Sequence, residues 1–143
     1  MIHPAPTTKI DSALARGTLA AGSPGPGMIV VEFPNTNYRM HLVAGSDVPS
    51  IVGGRMIGTV RVDARRVDVV NTGGKYIEPV IGRPRRVQGR VISWDDASRT
   101  LVVDAGVPVH LELLDERQTP SEFGKGTLVS CDVLDGATFT PSA

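Results

Sequence analysis

Three histidines, one cysteine and the adjacent pair Asp95-Asp96 are the residues here best suited to catalysis or metal binding. Their spacing argues against both. His3 sits in a Pro-rich lead, and His41 and His110 stand alone, with no His, Cys or carboxylate at a recognised ligand interval. Cys131 alternates with Val129 and Val133, which puts it on the inner face of a strand as a small apolar residue rather than a nucleophile. Asp95-Asp96 opens the stretch Asp95-Asp96-Ala97-Ser98, where carboxylates ordinarily bond turn backbone. Gly124-Lys125-Gly126-Thr127 echoes a phosphate loop, but the first glycine five places earlier is missing and Lys125 is not followed by Ser or Thr. In Gly22-Ser23-Pro24-Gly25-Pro26-Gly27 the prolines remove amide donors, so a plain turn is expected. No set supplies nucleophile, base and orienter together. The expectation is a protein that is not an enzyme, with no cofactor and no metal.

Charge is the chemistry that remains. The segment Gly82-Arg83-Pro84-Arg85-Arg86-Val87-Gln88-Gly89-Arg90 is the densest positive run in the chain. Along a strand Arg83 and Arg85 share one face and Arg86 takes the other. Arg65 and Arg66 open the preceding apolar run, and Lys75 and Tyr76 follow the turn Asn71-Thr72-Gly73-Gly74. A hairpin of 65–70 with 75–80, packed beside this seam, would gather the cations near Tyr76. Arginines on phosphates with an aromatic face for a base are how single strands are held. Arg65, Arg66, Lys75, Tyr76, Arg83, Arg85, Arg86 and Arg90 are therefore the candidate contacts for RNA or single-stranded DNA. The same arginines could instead pair with Glu78, Asp63 or acids further along the chain.

The formal net charge is zero, but residues 1–90 hold twelve Lys and Arg against six Asp and Glu, a net +6, and residues 91–143 are −6. Such a dipolar chain suits a polyanion on its basic half. It equally suits self-association or another protein, with basic and acidic halves meeting head to tail. One cysteine rules out an internal disulfide. No signal-like leader opens the sequence and no apolar run reaches membrane-spanning length, so a cytoplasmic protein without membrane contact is expected.

The elements that must position these residues read as strands. Apolar content is 41%, dominated by Val, Ile and Leu with few aromatics, and 16 Gly and 11 Pro interrupt the chain too often for long helices. Residues 1–15 read as an N-terminal tail with one helical turn at Asp11–Ala15. Strands follow at 17–20, 28–33, 38–43, 56–63 and the 65–70/75–80 hairpin. After the seam come 87–94, 100–104, 108–114, 127–133 and 137–139. Tyr38-Arg39-Met40-His41-Leu42-Val43 alternates as a half-buried strand does.

The second set follows the first at an offset near 72. Gly17 and Leu19 match Gly89 and Val91, and Ile29-Val30-Val31-Glu32 matches Leu101-Val102-Val103-Asp104. Met40-His41-Leu42 matches Val109-His110-Leu111 after a short deletion, Pro49-Ser50 matches Pro120-Ser121, and Val60 and Val62 match Cys131 and Val133. Five strands per unit can close a small barrel and remove the sheet edges. The expected fold is all-β, with two OB-like five-stranded β-barrel units packed in tandem. The units are 16–81 (basic) and 87–141 (acidic), joined by a seam at 82–86. The first unit, through Pro34-Asn35, Tyr38-Arg39-Met40 and Gly53-Gly54-Arg55-Met56, resembles the OB-fold barrel of bacterial translation initiation factor one. The resemblance covers about a third of the chain and implies a fold together with RNA binding. The basic-aromatic ending usual in that family is not evident, and the second unit lacks the Pro-Asn turn.

Overall fold

Runs of Val, Ile and Leu pair into one eleven-stranded sheet, and no α-helix occurs among the described residues. The computed structural model describes residues 12–44, 48 and 51–142. His3, most of the expected tail including Asp11, and the Pro49-Ser50 match lie outside them. The strands are β1 (Ala15–Ala20), β2 (Met28–Glu32), β3 (Arg39–Ala44), β4 (Arg55–Val69), β5 (Tyr76–Glu78), β6 (Ile81–Gly82), β7 (Arg86–Asp95), β8 (Thr100–Asp104), β9 (Pro108–Leu113), β10 (Leu128–Val133) and β11 (Thr138–Pro141). A short 3-10 turn covers Pro120–Glu122.

The pairings close on themselves twice. β1 pairs with β2, β2 with β3, β3 with β11, β11 with β4, and β4 returns to β1. β4 also pairs with β10, β10 with β7, β7 with β8, β8 with β9, and β9 returns to β4. The fifteen-residue β4 belongs to both circuits. Its beginning lies against β1 and β11, and its end against β9 and β10.

Alternation along β4 explains how one strand serves both. Met56, Gly58, Val60, Val62 and Ala64 are buried, while the residues between them face outward. One apolar cluster runs continuously through both circuits: Val31, Met40, Leu42 and Phe139 in the first, Leu101, Val103, Leu111 and Val129 in the second. Each fully buried Leu or Phe side chain there contributes about 1.5–3 kcal/mol.

Three expectations change. The segments 56–63 and 65–70 are a single strand, and 65–70 forms no hairpin with 75–80. Neither edge of β4 is open at that point. Cys131 on β10 is the cross-strand partner of Val67, and the Gln118 amide occupies the other side. Gln118 Nε2 donates to the Val67 carbonyl at 2.6 Å and Oε1 accepts from the Val67 amide at 2.9 Å. β5 pairs with β7 instead. The last strand, expected in the second unit, is inserted between β3 and β4 of the first circuit. Two features admit it: Phe139 is fully buried, and Gly58 has no side chain where a Cβ would collide with the Thr140 carbonyl. Five pairings therefore cross the 82–86 seam: β4 with β9, β10 and β11, β3 with β11, and β5 with β7.

Candidate functional site

Register decides where each seam cation goes. The rungs Asp68–Ser130, Ser130–Gln88 and Gln88–Tyr76 run across β4, β10, β7 and β5. Two rungs on, Arg86 stands between Asp132 and Glu78. The Arg85 backbone is held on both sides, donating to the Glu78 carbonyl (2.8 Å) and accepting from the Val133 amide (2.9 Å). Among the described residues its guanidinium makes no hydrogen bond or ion pair.

The other cations except Arg65 are partnered. Arg86 reaches the Tyr76 hydroxyl at 3.3 Å and Asp132 at 2.7 Å, and these two bonds raise its pKa further. Arg83 pairs with Asp135 at 2.9 Å and Lys75 with Asp104 at 2.7 Å. Burial pushes Asp104 up, but the bonds from Lys75 and from the Gly106 amide together carry it below the usual carboxylate value. Arg66 binds its neighbour Asp68 at 2.9 Å, and Arg90 donates to the Gly126 carbonyl at 2.9 Å. Arg65 is exposed and makes no hydrogen bond or ion pair through its side chain.

Of the eight predicted contacts, Arg83, Arg85 and Arg86 line one groove of about 520 Å³ together with Glu78, Pro79 and Asp132. Tyr76 meets that groove through its bond to Arg86. Lys75, Arg90, Arg65 and Arg66 do not line it. The charge asymmetry of the sequence is largely spent inside the molecule. Arg61–Glu112, Lys75–Asp104, Arg83–Asp135 and Arg86–Asp132 all join the basic and acidic halves.

A second groove was not expected from the sequence. About 580 Å³ in volume, it lies where β1 meets the start of β4, over Phe33, Pro34, Met56 and Ile57, with Arg16 and Arg55 beside it. In the ladder Arg16 faces Ile57 and Thr18 faces Arg55, so the two arginines are diagonal neighbours on the outer face. Among the described residues neither guanidinium has a hydrogen bond or ion pair. Glu32, also at this groove, is engaged by Arg39 at 3.5 Å. In the sequence these two arginines are thirty-nine residues apart in unremarkable surroundings. The only signal is their place at matching ends of two alternating strands.

The groups that might suggest catalysis have ordinary surroundings. Burial pushes the Cys131 thiol up to about 12. His110 Nε2 lies 2.8 Å from the Ala13 carbonyl, and the Asp95 carboxylate accepts from the Ala97 amide at 3.0 Å within its turn. Among the described residues no group of three or more His, Cys, Asp and Glu could hold a metal ion, and no helix is long and apolar enough to cross a membrane. Comparison with protein-family models, curated proteins and solved structures found no match. The functional reading therefore rests on the residues themselves.

Proposed function

We propose that this protein is a non-enzymatic binding module, built as two OB-like units sharing β4, that takes RNA or single-stranded DNA on the seam groove. What carries the reading is the convergence of Arg83, Arg85 and Arg86 on one groove, with the Arg85 guanidinium uncommitted. Arg65 adds a further free cation. The ion pairs of Arg83 and Arg86 are solvent-exposed and worth about 0–1 kcal/mol each. A phosphate can displace such a carboxylate at little cost. Asp132 and Asp135 then act as competitors for the same guanidiniums and keep the affinity modest. The tandem arrangement is supported by the equivalent order of strands in the two circuits and by the matched glycines Gly17 and Gly89.

Fluorescence anisotropy with labelled homopolymeric RNA and DNA tests the reading. Binding should weaken steeply with salt, with a logarithmic slope of about −0.7 per phosphate neutralised. Arg85→Ala should lower both affinity and slope, while Asp132→Asn with Asp135→Asn should tighten binding severalfold. No binding at low salt, or a response unchanged by Arg85→Ala, would end the proposal.

A further inference from the structure

Away from the seam, two surfaces of the described residues keep unpaired charge after the intramolecular ion pairs form, and they are complementary. One is the Arg16/Arg55 groove, apolar at its base through Phe33, Pro34 and Ile57, with two unpaired guanidiniums beside it. The other is the tip between β7 and β8. There the only tryptophan of the chain, Trp94, is 38% exposed and is followed by the exposed Asp95 and Asp96. One oxygen of each carboxylate is used locally, Asp95 Oδ1 by the Ala97 amide and Asp96 Oδ1 by the Ser121 amide at 2.9 Å. Among the described residues their Oδ2 atoms have no hydrogen bond or ion pair.

A tip cannot reach the groove of its own chain. The register carries Asp95 to Thr100, Thr100 to Glu112 and Glu112 to Asp63, so the tip is level with Asp63 of β4. The groove lies at Arg55–Ile57, six residues back along β4, or about 20 Å at the rise of an extended strand. An indole followed by two carboxylates can therefore meet this groove only on another molecule.

We propose that copies of this chain associate head to tail, the Trp94-Asp95-Asp96 tip of one seated in the Arg16/Arg55 groove of the next. Burying the indole supplies apolar area, and the two carboxylates meet the two free guanidiniums. Every copy has one groove and one tip, so the contact is heterologous and builds a ring or an open chain. The inference is independent of nucleic-acid binding at the seam, which uses other residues.

The test is sedimentation velocity on the nuclease-treated full chain over a wide concentration range, read together with Trp94 emission. Mass should rise with concentration at low salt, with a blue shift as the indole leaves water. Arg16→Glu with Arg55→Glu should weaken association roughly tenfold or more. Asp95→Arg with Asp96→Arg should do the same, because the tip then meets a groove of like charge. Mixing the two charge-reversed proteins, each checked for its strand signal by circular dichroism, should restore assembly, since acidic groove then meets basic tip. A monomer at every concentration overturns the proposal. So does association untouched by both reversals, or a monomer whose Arg16→Glu/Arg55→Glu form merely loses oligonucleotide.

Discussion

Gly17 and Gly89 occupy the same place in the two circuits. A Cβ on Gly17 would lie 2.9 Å from the carbonyl oxygen of Glu32, and one on Gly89 would collide with the carbonyl oxygen of Asp104. In both cases the carbonyl belongs to the residue fifteen positions later, at the end of the next strand of its circuit. Each glycine lets its own strand cross closely over that end. In both circuits the missing side chain is what admits that close approach.

Gly89→Ala should be the more damaging of the two substitutions, because its obstacles are backbone atoms of Asp104 and Ala105. Gly17→Ala meets the Val31 Cγ1 at 2.6 Å, a side chain with more freedom to shift. Overpacking of this kind costs about 1–3 kcal/mol. Urea midpoints would measure it, and an unchanged midpoint for Gly89→Ala would contradict the close approach.

Tyr38 ties the start of β3 to the second circuit. Its hydroxyl donates to the Ala105 carbonyl and accepts from the Ile77 amide, both at 2.9 Å. Tyr38→Phe leaves both backbone groups without that partner and should destabilise by about 1–3 kcal/mol. Thermal unfolding reads the loss. Hydrogen exchange at Ile77 should accelerate more than at strands remote from Tyr38, which distinguishes a lost bond from general loosening.

The pH dependence of stability should carry two opposite contributions. Burial, then the neighbouring Glu112, raises the pKa of Asp63. A raised carboxyl is fully tolerated below its unfolded value and costs stability as pH climbs through its folded one. Asp63→Asn should therefore stabilise the protein near pH 7 and give no gain near pH 3. Asp104 is lowered, so its contribution is present above the unfolded value and disappears as pH falls through the folded one. Asp104→Asn should lose stability near pH 7 and little under acid. Unfolding midpoints of both variants across pH decide the signs.

Cys131 should resist thiol reagents while the protein is folded. It is 2% exposed and its pKa is pushed up to about 12 by burial, so almost no thiolate exists at neutral pH. Labelling should proceed at the rate of global unfolding and speed up with urea. Rapid modification in native buffer would mean that β10 opens locally.

The all-β class was legible because it follows from local chemistry. Val and Ile favour extended backbone, and alternation such as Arg39-Met40-His41-Leu42 assigns buried and exposed faces without knowing what the strand packs against. The failures share another cause. Whether 65–70 pairs with 75–80 depends on which β4 edge is free, and that is settled by Gln118, fifty-one residues from Val67. The destination of β11 depends on the missing side chain of Gly58, eighty-two residues before Thr140.

The same division governs the candidate sites. Residue types and their order determined a strand-rich chain, a buried cysteine and a run of arginines from Arg83 to Arg90. Only the tertiary structure decided which of those arginines stay free. Ion pairing is set by distances of a few ångströms between residues far apart in sequence, and strand register with the segments flanking the strands fixes those distances. Register took Arg86 to Asp132, the segments flanking the strands brought Arg83 to Asp135 and Lys75 to Asp104, and among the described residues Arg85, Arg65, Arg16 and Arg55 stay uncommitted.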